Sequence, residues 1–165
     1  MDMNDAHSDL DALARRVIDV NQYMTLATLD SDGRPRLSPV YYTPARYADF
    51  YWVSSPLARH SHNLAERPEV EIVIFDSTAI VGQAEAVYLT AAARAIADGE
   101  LEAVCPEAFR AASGAPRFEP AELRDDAVLR LYVARLTACE VLVPGRDPVH
   151  GRGVDTRLPA DPTSP

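Results

Sequence analysis

The strongest constraint in the sequence is a pair of short β-forming segments joined by an Asp-Gly turn. Residues 23–30 begin with a tyrosine and are rich in threonine and leucine, and residues 36–42 have the composition of a return strand. Between them, Asp32 and Gly33 form a strong hairpin signal, because glycine tolerates positive φ. Pro39 cannot donate a hydrogen bond to a neighbouring strand, so it places the second strand at a sheet edge or beside a bulge. The chain is therefore predicted to contain an antiparallel hairpin.

Helical and strand patterns alternate along the rest of the chain. Residues 9–20 place apolar side chains at the spacing of one helix face. A Ser-Pro pair at residues 55–56 predicts the start of a second helix, which runs to about Glu66, and the alanine-rich residues 90–104 enter a helix after about Ala92. Further β-rich segments lie at residues 49–54, 70–75, 82–90 and 128–143. We predict a mainly β protein of the α+β class, with six antiparallel strands in a closed or half-open barrel and helices outside it.

The length of 165 residues fits one domain with a tail. We predict a barrel domain over residues 1–143. Residues 144–165 are dominated by glycine, proline, arginine and aspartate, which predicts an irregular and partly disordered C-terminal tail. Cys105 and Cys139 are the two cysteines, they lie far apart in the sequence, and neither belongs to a Cys-x-x-Cys pair, so the sequence predicts neither a disulfide framework nor a zinc site. Both are expected in the interior.

The charge of the chain limits its partners. The 16 basic and 25 acidic residues give a formal net charge of −9, which argues against nucleic acid or an anionic membrane as the main partner. No apolar run is long enough to span a membrane, and the acidic N-terminal residues do not resemble a secretory leader. The four histidines lack the spacing of a metal site, so none is predicted. We expect a cytoplasmic protein that acts on a small molecule.

The start of the second predicted helix has an unusual charge pattern. A helix N-terminus carries partial positive charge and usually attracts acidic side chains. Here the first turns contain Arg59, His60 and His62 and no acidic residue. A bound anion held by Ser54, Ser55, Arg59 and His60 would remove this conflict and indicates a phosphate site. A solvated helix with basic residues on its outer face explains the pattern equally well.

Several segments carry a combined family pattern. They are the stretch Thr-Leu-Ala-Thr-Leu-Asp-Ser-Asp-Gly-Arg-Pro-Arg-Leu-Ser-Pro-Val at 25–40, Phe-Tyr-Trp-Val-Ser at 50–54, Arg-His-Ser-His-Asn-Leu at 59–64, Arg-Pro-Glu-Val at 67–70 and Ala-Val-Tyr-Leu-Thr at 86–90. Together they resemble the flavin-binding split-barrel proteins of the pyridoxamine 5′-phosphate oxidase-like superfamily. The resemblance covers residues 23–93 and the last strand. It implies an FMN-binding split barrel that forms a homodimer, with the cofactor in a cleft between the subunits.

The resemblance also implies which residues meet the cofactor. In this family the strand after the first hairpin lines the flavin, and a glutamine near the start of the fifth strand meets its ring. The family's Ser-Arg-Lys phosphate triplet reads Ala58-Arg59-His60 here, and Ser54 stands where the family has a threonine that contacts phosphate. The cofactor-binding set implied by the resemblance and the helix start is Ser38, Val40, Ser54, Ser55, Arg59, His60, Asn63, and Gln83 or Glu85.

This sequence departs from the family pattern in two places. The phosphate triplet has lost a hydroxyl and a lysine, which implies weaker FMN binding or another cofactor, F420 or haem. The C-terminal tail lacks the tryptophan and the Arg-x-His-x-Arg run of the true vitamin B6 oxidase, so oxidation of pyridoxamine phosphate is not expected.

The resemblance leaves more than one function open. We expect a flavin-dependent oxidoreductase, using FMN or F420, that acts on a small organic substrate. The alternative is a flavin- or haem-binding carrier or sensor without turnover, or a barrel that has lost its cofactor and acts as an interaction protein. No catalytic residue is assigned, and His62 is the one candidate general acid because histidine titrates near neutral pH.

Overall fold

The structure is a computed structural model that describes residues 3–110 and 117–164. The helices are α1 (Met3–Val20), α2 (Arg59–Glu66) and α3 (Leu101–Ala108). The strands are β1 (Tyr23–Leu29), β2 (Pro35–Tyr41), β3 (Thr43–Ala45), β4 (Asp49–Ser54), β5 (Glu69–Phe75), β6 (Ala86–Ala95), β7 (Arg130–Val143) and β8 (Thr156–Pro159). Short 3₁₀ turns lie at Asp98–Glu100 and Pro120–Glu122.

These strands form one antiparallel sheet that curls into a half-barrel. Its order is β2-β1-β5-β6-β7-β4-β3, and β8 pairs with β7 beside this path. The mainly β fold with peripheral helices is confirmed. The sequence predicts six strands and the structure has eight in its described part, because β3 and β8 are only three and four residues long. β2 is an edge strand, as Pro39 indicates.

The alanine-rich segment departs most from the sequence prediction. The sequence predicts a helix after about Ala92, whereas β6 continues as a strand to Ala95. Ala91 and Ala93 are buried on the inner face of the sheet, and the strand pairs with β7 along this stretch. Alanine's helix propensity is a weak preference, and pairing with the long β7 outweighs it. The same strand begins at Ala86 rather than at residue 82, because the preceding residues form the β5–β6 loop.

The C-terminal segment is more regular than its composition predicts. β8 pairs with the end of β7, so that Thr156 lies opposite Val143. Arg15 of α1 donates through Nη1 to the backbone carbonyls of Pro162 and Ser164, at 3.2 and 2.8 Å. This part of the predicted tail is therefore held by backbone pairing and by an arginine. The division into a domain over residues 1–143 and a tail stays a prediction.

The interior has two apolar clusters. The larger one, the barrel core, lies between the sheet and α1 and contains the single tryptophan, Trp52, and Cys139. The smaller one, the α3 cluster, packs α3 against β4 and β7 and contains Cys105. Both cysteines are buried and free, as expected. None of the helices in the described ranges is long and apolar enough to cross a membrane.

Candidate functional site

The turn that leads from β4 into α2 is built around Ser55. The backbone N–H of Leu57 donates to Ser55 Oγ at 3.1 Å, and the N–H of Ala58 donates to the Ser55 carbonyl at 3.0 Å. Because Ser55 caps this turn, the helix does not start there as the sequence predicts. It starts at Arg59, and Ala58 takes the N-cap position with φ −65° and ψ 146°.

The first turn of α2 lacks the groups that usually stabilise a helix N-terminus. Among the described residues, no side chain accepts a hydrogen bond from this end, and the first turn contains no acidic residue. Alanine at an N-cap is less favourable than serine or aspartate by about 1 kcal/mol. The end of the helix therefore presents amide N–H donors and positive partial charge without a protein acceptor, and it suits an anion.

Ser54 and His60 meet beside this helix end. Ser54 Oγ and His60 Nε2 share a hydrogen bond of 2.8 Å, and both residues are half-buried. Burial lowers the pKa of His60 below its ordinary value of 6.5. The ring is therefore neutral near pH 7 and gains a proton only when an anion or a lower pH favours the charged form.

Arg59 faces a different direction from His60. It lines a polar groove of about 420 Å³ between α2 and the β1–β2 hairpin, whose other lining residues are Ser31, Leu57, His62, Asn63 and the acidic Glu66. Arg59 is exposed, so its guanidinium is free to approach a ligand in this groove. A second groove, of about 610 Å³, lies between α2 and the end of β6. His62 lies on the rim of both grooves and is exposed.

Asn63 holds α2 against the hairpin. Its Nδ2 donates to Thr28 Oγ1 and to Asp30 Oδ1, both at 3.0 Å, and all three residues are buried. Arg36 donates to the other oxygen of Asp30 at 2.7 Å. The hydrogen bond from Arg36, with that from Asn63, lowers the pKa of Asp30 to about 2. The amide hydrogens of Asn63 are thus engaged within the chain.

Sequence reasoning missed Thr28 and Asp30 as partners of α2. They lie 35 and 33 residues before Asn63, so no local spacing connects them. Arg67 adds a further bond, since its Nη1 donates to the Asp30 carbonyl at 2.9 Å. The sequence signal for this network is an aspartate, Asp30, at the end of the first predicted strand, together with an arginine, Arg36, on the return strand.

Two other groups of predicted site residues lie elsewhere. Val40 is buried in the barrel core, and Ser38 is half-buried opposite Leu26 on β1. Glu85 precedes β6 and forms an ion pair of 2.6 Å with Arg16 of α1. Since α2 meets β6 near its far end, at Ala93, eight residues of strand place Glu85 roughly 25 Å away.

The structure thus gathers part of the predicted set within one chain. Ser54, Ser55, Arg59, His60 and Asn63 surround the first turns of α2. Gln83 lies in the exposed β5–β6 loop, and neither it nor Glu85 joins that group in one chain.

The fold is shared with known structures. A heme binding protein from Mycobacterium smegmatis aligns with a TM-score of 0.67 and 23% identity over 93% of this chain. The aligned chain spans 59% of that protein's length. The heme storage protein HutZ from Vibrio cholerae aligns with a TM-score of 0.54 and 16% identity, covering 78% of this chain and 90% of HutZ. An F420 reductase aligns with a TM-score of 0.52 and 17% identity, covering 79% of this chain and 94% of the reductase.

Sequence comparison supports the same grouping. No curated protein matches the sequence of this chain. The family model described as pyridoxamine 5′-phosphate oxidase matches residues 10–139, which include β1 to β6, α2, α3 and most of α1 and β7. This match covers well over half of the sequence, and the chain belongs to the pyridoxamine 5′-phosphate oxidase family.

Proposed function

We propose that this chain binds a flavin-type cofactor through its phosphate at the start of α2 and uses it for two-electron redox chemistry on a small organic substrate. The observation that carries the proposal is the N-terminus of α2, which has no capping side chain and no acid but has Arg59 and His60. FMN is the first choice of cofactor, and F420 is the alternative. The fold shared with an F420 reductase supports this class of cofactor.

The residues present fit a phosphate group. The amide N–H groups of the first turn, the Ser54 hydroxyl and the Arg59 guanidinium are donors, and donors to an anion form the stronger hydrogen bonds in proteins. His60 adds a donor when it is protonated, and a dianionic phosphate would favour that form. No acidic side chain of the first turn opposes an anion.

In this mechanism the protein anchors and orients the cofactor and keeps water from it. A bound flavin would supply the electron-pair transfer itself. Ser54 and His60 would fix one side of the phosphate, and Arg59 would approach it from the groove beside the hairpin. Asn63 acts indirectly, because it holds α2 in place through Thr28 and Asp30.

We infer that the working unit is a cytoplasmic homodimer. The outer face of β1, β2 and β5 exposes large apolar side chains, Tyr23, Leu37 and Phe75, and a second copy is the partner that we propose for them. A second copy would also give Gln83 and Glu85 a route to the cofactor, since they lie far from α2 of their own chain. The buried free cysteines suit a reducing compartment.

Haem binding without turnover is the second candidate. It is favoured by the shared fold with two proteins named for heme binding and heme storage. In this chain the exposed His62, on the rim of both grooves, is a ligand type that suits haem iron. An absorption spectrum distinguishes the candidates, because flavins, deazaflavins and haem absorb at different wavelengths.

The test is a titration of the purified protein with FMN, F420 and haemin, followed by variants. Arg59→Ala is expected to weaken flavin binding by about 1.5–3 kcal/mol, the range for a hydrogen bond to a charged group. Arg34→Ala is the matched control, because Arg34 is an exposed arginine on the hairpin, and Asp32 is its ion-pair partner among the described residues. Equal affinity in the two variants would remove Arg59 from the site, and binding of haemin alone would favour the second candidate.

A further inference from the structure

The α3 cluster contains a cavity that the proposed cofactor site does not use. Its volume is about 160 Å³, and it lies between β4, β7 and the chain around α3. Of the residues in the described ranges that line it, none carries a charge. Phe109 and Phe118 form one wall, with ring centroids 5.8 Å apart.

The remaining walls are also neutral. Val53 and Leu131 contribute aliphatic side chains from β4 and β7. Tyr51 lines the cavity too, and burial, with the nearby charges of Asp49 and Glu107, raises its pKa above the ordinary value of 10.0. The cavity therefore offers aromatic and aliphatic surface and no ionised group.

Two lining residues have a buried hydrogen-bonding group without a partner in the described part of the chain, the Tyr41 hydroxyl and the indole N–H of Trp52. A buried hydroxyl without a partner is unfavourable, because it has lost water and gained nothing in exchange. A ligand with a single polar group in this cavity would give that hydroxyl a partner.

We propose that this cavity binds one neutral monocyclic aromatic molecule with a single hydrogen-bonding substituent, such as a phenol. An engineered apolar cavity of about 150 Å³ binds benzene, so the volume suits one ring and not a fused tricycle. A flavin ring system is therefore not its occupant.

The site is a neighbour of the proposed cofactor site. Val53 lines the cavity, and the next residue of β4 is Ser54, which contacts His60. The cavity also indicates neutral monocyclic aromatic molecules as the substrate class of the redox reaction, and this extension rests on the proposed function. The binding itself requires no cofactor.

The experiment measures binding of phenol, toluene and benzoate to the full chain by ligand-observed NMR. Phenol is expected to bind, toluene several-fold more weakly, and benzoate at least tenfold more weakly than phenol, since its carboxylate would be buried without a partner. Tyr41→Phe should weaken phenol about three- to tenfold, the value of one net hydrogen bond, and leave toluene unchanged. Benzoate binding as tightly as phenol, or no effect of Tyr41→Phe on phenol, would overturn the proposal.

A matched pair of variants tests the location. Leu129→Phe enlarges a half-buried lining residue and should abolish binding of both phenol and toluene. Val128→Phe places the same side chain at the adjacent exposed position and should change nothing. If Leu129→Phe does not fold, the effect of Tyr41→Phe on phenol binding tests the proposal by itself.

The outcomes also separate this inference from the proposed function. Arg59→Ala should leave phenol binding intact. Phenol binding without flavin binding contradicts only the proposed function, and the reverse contradicts only this inference.

Discussion

The two halves of α2 differ in whether their polar groups have hydrogen-bond partners from other parts of the chain. In the second half, Asn63 donates to Thr28 and to Asp30, and Arg67, directly after the helix, donates to the Asp30 carbonyl. In the first turn, Ala58 occupies the N-cap and no side chain of the described chain accepts from the helix end. One short helix thus separates the contacts that stabilise the fold from the groups that remain available to a ligand.

The largest expected effect comes from giving the first turn its missing cap. Ala58→Asp should raise the free energy of unfolding by about 1 kcal/mol, because Ala58 already has N-cap geometry. Its carboxylate should also weaken FMN binding about ten- to a hundredfold through repulsion of the phosphate. Chemical unfolding and FMN titration measure the two changes. Ala58→Ser is the control, since it adds a cap without charge, and a parallel loss of binding in both variants would contradict an anion site.

Removal of a side-chain contact in the second half of α2 should lower the stability of the fold. Asn63→Ala removes the donor shared by Thr28 and Asp30 and should lower the free energy of unfolding by about 2–3 kcal/mol, since buried partners are left unpaired. His62→Ala, at the exposed neighbouring position, is the control. If both variants unfold at the same denaturant concentration as the original chain, the network does not hold the helix.

The pH dependence of His60 sharpens the comparison at the first turn. Because its pKa in the folded protein is lowered from 6.5, its contribution to stability is complete above pH 6.5 and declines as the pH falls below that value. Bound phosphate favours the protonated ring, so FMN affinity should rise about three- to tenfold from pH about 8 to about 6. Titrations at several pH values measure this. His60→Gln should remove the rise, whereas a persistent rise would assign the proton to another group.

The smallest expected effect concerns Asp30, the partner of Asn63 in α2, and the stability of the fold in acid. The pKa of Asp30 is about 2 in the folded protein and 3.8 ordinarily, so its contribution is present above pH 3.8 and is lost as the pH falls through about 2. Asp30→Asn should therefore flatten the dependence of unfolding free energy on pH in this window. Asp32→Asn, at an exposed hairpin position, is the comparison variant and should retain the slope.

Local patterns in the sequence were sufficient for much of the fold. The Asp-Gly turn sets the first hairpin, and Gly33 has the positive φ, 82°, that this turn requires. The apolar spacing of residues 9–20 lies within α1. In contrast, the alanine-rich part of β6 was misread, because its strand conformation depends on β7, about forty residues later in the chain.

The candidate site was predictable only in part, for the same reason. The charge pattern at Arg59 and His60 is local, and it marked the helix start. The role of Asn63 and the cavity in the α3 cluster both arise from tertiary contacts between distant strands and helices. Ser55 illustrates a local error, since its hydroxyl caps a turn four residues before the helix begins.

The two hydrogen bonds from Arg15 to the backbone carbonyls of Pro162 and Ser164 have a practical consequence for expression. A protein cut after Val143 would leave the Glu140–Val143 edge of β7 without its neighbour and α1 without the carbonyls that its arginine contacts. An open edge of this kind invites pairing between molecules and aggregation. Recombinant versions should therefore retain the sequence through Ser164, and a purification tag at that end needs a spacer to keep it clear of the first helix.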